Sequence, residues 1–461
     1  MHNNKSNNHN KSKYVIVLDI VGLEVSHVCS GLIPNIANIA NNDGGEFGYL
    51  KPVFPAVTST VQTSVLSGKY PNEHGIISNG LYDRDNHQVL FWEQSSNLVQ
   101  VDRIWDVIKK KNRNIKTAVL FWQNIMFANS DYVITPRPIH LENGGMDMWC
   151  YSRPPNYYEE AAAKIGEFDL KSYWGPFASF ESTEWISKSV EFTLEKNMPN
   201  LLFAYFPQLD YSSQKFGKNS HEVKDDLKKI DEIVGSIIKK IEQMGIIDDT
   251  EVIIFSEYGF NDVNDGISIN RILRDSGFLS TRTINDKEYI DFEYSQAFAM
   301  VDHQVANIYL NNLENKNTVR KILEDTQGIE RICDEKEKQN LKINNSRSGD
   351  LIAISNIDKW FSYYWWYDDG KAPTFAQTVD IHRKPGYDPL ELFIDMKRKS
   401  ISFDTRLIKG SHGRPFNLET GEGLSAYISS KKIEKEKNAI YNGTVVLNCL
   451  DIFDIINKNF S

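Results

Sequence analysis

Three acidic residues and one histidine occupy positions from which they could bind a common group of metal ions. Asp19 lies near the end of the apolar run YVIVLDI, Asp210 follows LLFAYF, and Glu257 follows VIIF. In open α/β sheets, ligands bind beyond the carboxyl ends of the strands, so these carboxylates are expected to converge. Because like charges held together are costly, a divalent cation is the simplest reason for such a cluster. His412, in KGSHGRP, adds an imidazole, and carboxylate with imidazole suits Zn²⁺, Mn²⁺ or a related ion.

Each acid taken alone has a structural alternative. An acidic side chain just past a strand can cap the first turn of the helix that follows, which requires no metal. A single residue of this kind would favour that explanation. Three of them, at the ends of three predicted strands and in this order, favour a metal site.

Thr58 is the candidate nucleophile. It stands in the hydroxyl-rich segment FPAVTSTVQTSVLSGKYPNEHGII, which begins at Phe54, and it directly precedes the predicted helix Ser59–Leu66. A helix N-terminus presents free N–H groups and the positive end of the helix dipole to an anion. A metal ion there can deprotonate a hydroxyl and make it a nucleophile. Thr58 or Ser59 could also cap the helix, and capping and attack can share one position.

An alternation of buried strands and helices must position these residues. The predicted strands are short runs rich in β-branched or aromatic residues: Tyr14–Leu18, Thr117–Trp122, Leu201–Phe206 and Val252–Phe255. Between them lie helical patterns such as Pro34–Asn41 and Glu222–Met244, the latter with an apolar stripe on one face. This alternation predicts an α/β fold, in which a mostly parallel sheet carries helices on both faces.

Residues 14–461 are predicted to form a single domain with two additions. The aromatic and Pro-rich stretch from about 80 to 199 is interpreted as an insertion that covers the site, and residues from about 297 to 355 as a small α+β subdomain. The Asn/Lys-rich residues 1–13 indicate a disordered tail. The aromatic cluster WFSYYWWYDDGKAP, from Trp360, favours packing over a platform for a flat ligand.

Composition excludes several classes of protein. The 461 residues carry a net charge of −10, so binding of a nucleic-acid polymer is not expected, although metal cations could still attract a phosphate substrate. No membrane span and no signal peptide are predicted. The cysteines show no C-x-x-C spacing, which predicts reduced thiols and a cytoplasmic protein. The four are Cys29, Cys150, Cys333 and Cys449.

The ordered motifs resemble those of the alkaline phosphatase superfamily, and more closely its type I phosphodiesterase / nucleotide pyrophosphatase branch. In that branch a strand ends in a metal-binding Asp, as in YVIVLDIVGL, and a Pro-Asn helix follows, as in IPNIANIA. The nucleophile loop reads Phe-Pro-x-x-Thr, then Gly-x-Tyr-Pro, then His-Gly-Ile. That loop is matched by Phe54, Pro55, Thr58, Gly68, Tyr70, Pro71, His74, Gly75 and Ile76. A later Gly-x-His-Gly motif is matched by Gly410, His412 and Gly413.

The resemblance implies an alkaline-phosphatase-like core and a metal-dependent hydrolase of phosphate esters. It implies two divalent ions, expected to be Zn²⁺ with Mn²⁺ as an alternative, and a phosphorylated small molecule as substrate. Thr58 would attack phosphorus, a phosphothreonine intermediate would form, and water would then hydrolyse it. Asn79 is implied as the amide that donates to a phosphoryl oxygen.

Two imidazole ligands of the family pattern are absent. The family has Asp-x-x-x-His after the third strand and Asp-His-Gly after the fourth. Here Gln214 stands four residues after Asp210, and Tyr258 follows Glu257. Glutamine is a weak oxygen ligand and a neutral tyrosine is weaker, so the site must hold its metals differently, hold one weakly, or have lost catalysis.

Two histidines in predicted loops are candidate replacements. His382 lies in DIHRKPGYDPLELF, near Asp388 and before the predicted strand Leu390–Ile394, and His303 begins the strand in VDHQVANIY. A lone histidine in a loop is more often structural than a ligand, so only the first joins the predicted set. The predicted metal ligands are Asp19, Thr58, Asp210, Gln214, Glu257, His382 and His412.

Further polar residues are predicted to contact the substrate. Gln123 and Asn124 end the strand that contains FWQN, and Arg414, two positions after His412, could pair with a phosphate oxygen. Two other functions stay open. The missing imidazoles are compatible with a catalytically impaired binding or scaffold protein, and the same Thr58 could serve a phosphonate hydrolase or a phosphotransferase.

Overall fold

A computed structural model describes residues 11–42, 44–142, 146–433 and 439–461. Residues 1–10 of the predicted tail lie outside the described residues. Residues 12 and 13 do not belong to a disordered tail. Ser12 is buried and its backbone N–H donates to Asn459 Oδ1 at 2.9 Å, while the Lys13 N–H donates to Asp249 O at 2.9 Å. These contacts fix the two residues on the body of the protein.

A ten-stranded sheet forms the centre of the fold. Its five middle strands are parallel and lie in the spatial order Thr250–Phe255, Tyr14–Ile20, Leu201–Phe206, Thr117–Leu120 and Tyr132–Pro136. Past Tyr132–Pro136 the sheet ends with the antiparallel strand Cys150–Arg153. On the other side follow, in order, Ser425–Ser429, Glu46–Lys51, Thr444–Asn448 and Ala439–Tyr441.

Three of the middle strands are buried along their whole length. Every residue of Tyr14–Ile20, Leu201–Phe206 and Thr250–Phe255 is buried, as expected for parallel strands with helices on both faces. The predicted α/β fold is therefore confirmed. The register places Asp19 beside the ends of both neighbouring strands, so the residues that follow all three leave the sheet at the same edge.

Helices alternate with these strands and supply the covering layers. The helix His221–Gln243 is close to its predicted bounds, and Ser220 Oγ caps it by accepting the Val223 N–H at 3.2 Å. The other described helices of eight or more residues are Pro34–Asn41, Thr58–Ser67, Ile104–Lys111, Tyr157–Ile165, Phe180–Asn197, Gln208–Phe216, Lys316–Glu324 and Asp451–Asn459. Shorter helices are Val25–Val28, Pro71–His74, Leu170–Tyr173, Ile269–Asp275 and Glu335–Asn340.

Most of the segment from about 80 to 199 is not an insertion, contrary to the prediction. It supplies three strands of the central sheet as well as the core helix Phe180–Asn197. The prediction fails for these elements because their aromatic residues, among them Tyr157 and Trp185, pack into the main core. Aromatic content alone does not distinguish a covering loop from a core helix.

Residues 297–355 form a second sheet with its own helix. Its four antiparallel strands, in spatial order, are Ala297–Asp302, Val305–Leu310, Leu351–Ser355 and Ile329–Cys333. The helix Lys316–Glu324 completes the α+β unit that was predicted for this segment. The aromatic residues from Trp360 to Trp366 are buried in the hydrophobic core of this part of the molecule, which is the packing role that the composition favours, whereas Tyr367 is exposed.

Small two-stranded pairings complete the described structure. They are Gly80–Asp83 with Gln88–Phe91, Ile139–His140 with Met146–Asp147, Asn261–Asp262 with Gly410–Ser411, Asp265–Ser268 with Lys359–Ser362, Thr281–Ile284 with Lys287–Ile290, and Ile394–Asp395 with Ser400–Ile401. The predicted strand Leu390–Ile394 is instead a short 3-10 helix, Pro389–Leu392, followed by the brief strand at Ile394.

All four cysteines are free thiols. No helix in the described part of the chain has the length and apolar character needed to cross a membrane.

Candidate active site

Thr58 is the first residue of a fully buried helix, Thr58–Ser67, at the carboxyl edge of the central sheet. It does not cap that helix. The N-cap position is Val57, and the Ser59 N–H donates to Asn79 Oδ1 at 2.9 Å, so Asn79 satisfies one of the free N–H groups of the first turn. The Thr58 hydroxyl is left for another partner, which is the Tyr258 hydroxyl at 3.0 Å.

Asp19 and Glu257 form a buried pair of carboxyl groups next to Thr58. Burial raises the pKa of Glu257 to about 7, and Asp19, Thr58 and Gln62 are the neighbours that lower it. Burial, followed by the charge of Glu257, raises the pKa of Asp19 well above its ordinary value. Asp19 Oδ2 accepts Gln62 Nε2 at 3.1 Å, but Asp19 Oδ1 and both carboxylate oxygens of Glu257 have no hydrogen-bond partner. Unpaired buried oxygens of this kind are rare and require a ligand, a proton or a cation.

Asp210, by contrast, is surrounded by donors. Its Oδ2 accepts Gln214 Nε2 at 2.7 Å, one turn along the helix Gln208–Phe216, and its Oδ1 accepts the Tyr258 hydroxyl at 3.3 Å. Gln214 Oε1 in turn accepts the Tyr387 hydroxyl at 2.9 Å. Because the single Tyr258 proton points to Asp210, the Thr58 hydroxyl donates its proton to Tyr258 Oη. Burial raises the pKa of Tyr258 well above its ordinary value, so it is a neutral donor.

Two buried histidines and two tyrosines stack beside Asp210. The rings of Tyr258 and His412 stack nearly parallel, 3.5 Å apart between centroids, and His303 lies between His412 and Tyr387 at 3.8 Å from each. His412 Nδ1 is hydrogen-bonded to Ala56 O at 2.7 Å, and its Nε2 lies 3.5 Å from Asp210 Oδ1. Burial lowers the pKa of His412 to about 4, so the imidazole is neutral near pH 7.

Asp302 joins Asn79 to His303. Its carboxylate accepts the Asn79 backbone N–H at 2.8 Å, Asn79 Nδ2 at 3.1 Å and the Ser78 hydroxyl at 2.6 Å, and it pairs with His303 Nδ1 at 2.7 Å. Although burial opposes it, these contacts lower the pKa of Asp302, which is therefore ionised. The network holds the Asn79 amide against the N-terminus of the Thr58 helix.

A cavity of about 580 Å³ opens beside Thr58. Thr58, Asp210, Tyr258 and His303 contribute to its base. Its walls are largely aromatic and apolar and come from several distant segments of the chain. The aromatic residues of these walls include Trp92, Tyr173, Trp174, Phe177, Tyr211 and Tyr387.

The structure brings some predicted site residues to this cavity and not others. Gln123 lines it, and so does His382, whose Nδ1 is hydrogen-bonded to Phe91 O at 3.0 Å. Asn124 lies instead at a small neighbouring pocket and donates through Nδ2 to Glu93 O at 2.5 Å. Near His382, Asp388 is a buried ion-pair partner of a lysine and not a group free to bind a metal.

Arg414 does not face the cavity. Its guanidinium is hydrogen-bonded to Glu422 at 2.6 Å, to Glu330 at 2.7 Å and to Ser355 O, and it lines a separate surface pocket. The sequence prediction placed its side chain at the site because its backbone is close to His412. The side chain instead points away from the cavity, because it forms hydrogen bonds with the carboxylates of Glu330 and Glu422 and with the Ser355 carbonyl.

Of the two divalent ions expected from the sequence, the arrangement fits only one. Asp19, Glu257 and the Thr58 hydroxyl offer buried oxygens, several without partners, which suits one cation. The Asp210 carboxylate is already satisfied by Gln214 and Tyr258. Among the described residues, no group of three or more His, Cys, Asp or Glu side chains is spaced to hold a metal ion.

Three residues of the candidate site, Gln62, Asp302 and Tyr387, were not predicted from the sequence. Gln62 links Asp19 to the Gln123 backbone, whose N–H donates to Gln62 Oε1 at 2.7 Å. Asp302 and Tyr387 hold His303 and Gln214 as described above. A signal existed for Gln62, which lies four positions after Thr58 and so on the same helix face. Nothing local marks Asp302 or Tyr387, because their roles depend on contacts between distant segments.

Comparison with known proteins identifies a family. Residues 15–388 match the family described as type I phosphodiesterase / nucleotide pyrophosphatase. An uncharacterized pyrophosphatase/phosphodiesterase of Schizosaccharomyces pombe is 22% identical over 263 residues, which is 54% of this chain and 45% of that protein. The chain thus spans about half the length of the curated relatives it matches.

Two solved structures show the same fold. Phosphonoacetate hydrolase from Sinorhizobium meliloti, in complex with phosphonoformate, has a TM-score of 0.64 at 13% identity and covers 98% of this chain and 97% of its own. An inactive Thr-to-Ala variant of murine ectonucleotide pyrophosphatase / phosphodiesterase 5, in complex with AMP, has a TM-score of 0.61 at 14% identity, with coverages of 97% and 94%. At these identities the likeness concerns the fold.

Proposed function

Because this chain belongs to the type I phosphodiesterase / nucleotide pyrophosphatase family of the alkaline phosphatase superfamily, we propose that it hydrolyses phosphate esters. The observation that carries the proposal is the Thr58 hydroxyl. It lies at a helix N-terminus, is not used as a cap, and faces a cavity large enough for an ester. A nucleophile for phosphoryl transfer needs this combination of exposure to substrate and a positive electrostatic environment.

In the proposed reaction, Thr58 Oγ1 attacks phosphorus and the ester oxygen leaves. The hydroxyl proton passes along the hydrogen bond to Tyr258 Oη, and the Tyr258 proton passes in turn to Asp210 Oδ1, which is the final acceptor. The phosphothreonine that forms is then hydrolysed by water. A divalent cation bound by Asp19 and Glu257 would stabilise the Thr58 alkoxide and the charge on the phosphoryl oxygens.

Backbone and amide donors are available for the phosphoryl group. The first turn of the Thr58 helix directs its free N–H groups toward the anion, and the helix dipole adds to their effect. Asn79 is held beside that turn by Asp302 and is proposed to donate to a phosphoryl oxygen after a small rotation of its amide. Preorganised donors of this kind stabilise charge that develops in the transition state.

The cavity supports an ester with a flat or apolar group. Its aromatic walls would stack on a ring, and the relative in complex with AMP makes a nucleotide a natural first substrate to test. The solved relative that hydrolyses phosphonoacetate makes a phosphonate the second. The free thiols of all four cysteines support a reducing compartment such as the cytoplasm.

The experiment that tests the function is hydrolysis of bis(p-nitrophenyl) phosphate and p-nitrophenyl phosphate by the Thr58→Ala variant. We expect turnover to fall by about 10³-fold or more, as for loss of a nucleophile. Thr60→Ala is the matched control, because Thr60 lies on the same helix and its buried hydroxyl has no hydrogen-bond partner. Wild-type turnover by Thr58→Ala would remove the residue from the mechanism.

A second function is favoured by one observation. Tyr258 already engages both Thr58 and Asp210, which is the arrangement expected of a binding protein that keeps the fold without turnover. If the chain is such a binding protein, calorimetry should detect binding of AMP. The wild-type chain should then hydrolyse neither nitrophenyl ester, whichever divalent ion is added. Measurable turnover that disappears in Thr58→Ala would exclude it.

A further inference from the structure

The two halves of the candidate site differ in whether their carboxylates have partners. On one side of Thr58, three carboxylate oxygens of Asp19 and Glu257 are fully buried and unpaired. On the other side, both oxygens of Asp210 accept hydrogen bonds from neutral side chains. We infer that this chain binds a single divalent cation, through Asp19, Glu257 and Thr58, and that Tyr258 and Gln214 replace a second one. This inference rests on the proposed function.

The Asp19 side offers the ligands that a cation needs. Glu257 is fully buried, and by hydrogen-bond geometry neither of its carboxylate oxygens has a partner. Gln62 Nε2 satisfies Asp19 Oδ2 and leaves Oδ1 directed into the same space. Two adjacent buried carboxylates that share only one hydrogen-bond donor are unfavourable unless they share a positive charge. A cation bound between them would remove both the repulsion and the unpaired oxygens.

The Asp210 side offers no such set of ligands. Gln214 turns its Nε2 toward Asp210 and its Oε1 toward the Tyr387 hydroxyl, so the glutamine presents a donor where a ligand would have to present an acceptor. The Tyr258 ring lies flat on His412, and its hydroxyl fills the gap between Thr58 and Asp210. The hydrogen-bond donors of Gln214 and Tyr258 supply the positive electrostatic potential that a second cation would otherwise provide.

The ligand types indicate which cation binds. Asp19, Glu257 and Thr58 all contribute oxygen, and no nitrogen or sulfur ligand lies in the set. All-oxygen sites suit hard ions such as Mg²⁺ and Mn²⁺, whereas zinc sites typically include imidazole or thiolate. The site therefore departs from the zinc expectation of the sequence analysis in both ion number and ion type.

The test is the binding stoichiometry of the intact chain. Protein treated with EDTA and dialysed is titrated with Mn²⁺ in a calorimeter, and the bound metal is measured by mass spectrometry after gel filtration. We expect one Mn²⁺ per chain. Two ions per chain, or none, would overturn the inference. None would mean that Asp19 and Glu257 share a proton instead of a cation.

Matched variants distinguish the two halves of the site. Asp19→Asn and Glu257→Gln each keep the size of the side chain, and each should weaken Mn²⁺ binding by about 100-fold or more. Asp210→Asn should leave the affinity within about threefold, because its carboxylate is not a ligand. Circular dichroism of the metal-free variants checks that each one folds. Equal losses from Asp210→Asn and Asp19→Asn would contradict the inference.

A gain of binding gives an independent test. The double variant Gln214→His with Tyr258→His removes both neutral donors and adds imidazoles next to Asp210 and His412. It should bind two ions per chain, the second of them Zn²⁺, whose affinity for imidazole is high. If the double variant still binds one ion, Tyr258 and Gln214 are not what keeps the second ion out.

Failure of the inference and failure of the proposed function are distinguishable, because stoichiometry is measured without substrate. One bound Mn²⁺ with no hydrolysis of either nitrophenyl ester would support the single cation and reject the hydrolase. Two bound ions with hydrolysis lost in Thr58→Ala would reject the single cation and support the hydrolase.

Discussion

His74 carries no charge in the folded chain. It is fully buried, its Nε2 is hydrogen-bonded to Ser64 Oγ at 2.8 Å, and its Nδ1 accepts the Ile76 N–H at 3.1 Å. Burial lowers its pKa to about 3 from an ordinary value of 6.5. Within the His-Gly-Ile motif, this residue therefore fixes the loop that follows the Thr58 helix and does not act as a base or a ligand.

A pH dependence of stability follows from this residue. Between pH 6.5 and about 3 the unfolded chain binds a proton at His74 and the folded chain does not, so the stabilisation present above pH 6.5 is lost as the pH falls. Relative to His74→Gln, the wild-type free energy of unfolding should fall by about 1.4 kcal/mol per pH unit below pH 6. Urea unfolding of both proteins at pH 4.5 to 7 measures the difference. Parallel curves would mean that His74 is protonated or exposed in the folded state.

The sequence predicted that four side chains would lie near one another at the candidate site, but it could not predict their hydrogen bonds. Asp19, Thr58, Asp210 and Glu257 could be predicted because each follows a recognisable strand or begins a helix. The difference in hydrogen bonding between Asp19, which has an unpaired oxygen, and Asp210, whose oxygens are both paired, could not be predicted. It depends on Tyr258 and Tyr387, whose hydroxyl groups arrive from other segments of the chain.

A buried ion cluster holds the segment of residues 378–391 that forms one wall of the cavity. Lys384 Nζ lies 2.8 Å from Asp388 and 2.6 Å from Glu391, and Trp174 Nε1 donates to Glu391 at 2.5 Å. Burial acts to lower the pKa of Lys384, but the two carboxylates raise it above its ordinary value, so the lysine stays charged. The cluster thereby links Tyr387 of this segment to Trp174 on the facing wall.

Removal of the lysine should destabilise the fold. Lys384→Met keeps the length of the side chain but leaves two buried carboxylates unbalanced, and we expect a loss of about 3–5 kcal/mol. Arg383→Ala is the control, because the Arg383 side chain is 70% exposed and forms an ion pair with Asp380, three positions before it, a contact worth about 1 kcal/mol or less. Urea unfolding measures both. Equal, small losses would show that the cluster does not stabilise the wall.

Elements differ in how far the sequence determined them. Buried parallel strands and one-face helices, such as Leu201–Phe206 and His221–Gln243, are predictable because their apolar pattern results from burial itself. The segment from about 80 to 199 was misassigned because its aromatic residues could pack either over a site or in a core. The choice between the two is made by tertiary contacts of Trp185 and its neighbours.

The cavity is assembled from segments that are far apart in sequence. Trp92 and Tyr387 are in contact at 6.1 Å between ring centroids, and Trp174 contacts Tyr211 at 5.4 Å. Each pair joins two segments that are distant in sequence, so no local sequence pattern could have predicted the shape of the cavity. The proposed catalytic groups lie at the edge of the central sheet, and the residues proposed to contact the ester group lie in the segments around it, a division that lets one fold serve different substrates.

Phe177 provides the sharpest test of that division. It lines the cavity yet is 67% exposed, so Phe177→Ala should leave the urea midpoint of unfolding unchanged. If the ring contacts the ester group, the variant should raise KM for bis(p-nitrophenyl) phosphate by about 2- to 10-fold, with little effect on kcat or on the monoester, which lacks a second ring. Tyr294→Ala is the control, since Tyr294 is equally exposed at 67% and is not among the residues that line the cavity. An unchanged KM for the diester would mean that its second ring binds elsewhere, whereas equal increases for both esters would mean that Phe177 orients the phosphate and not the ring.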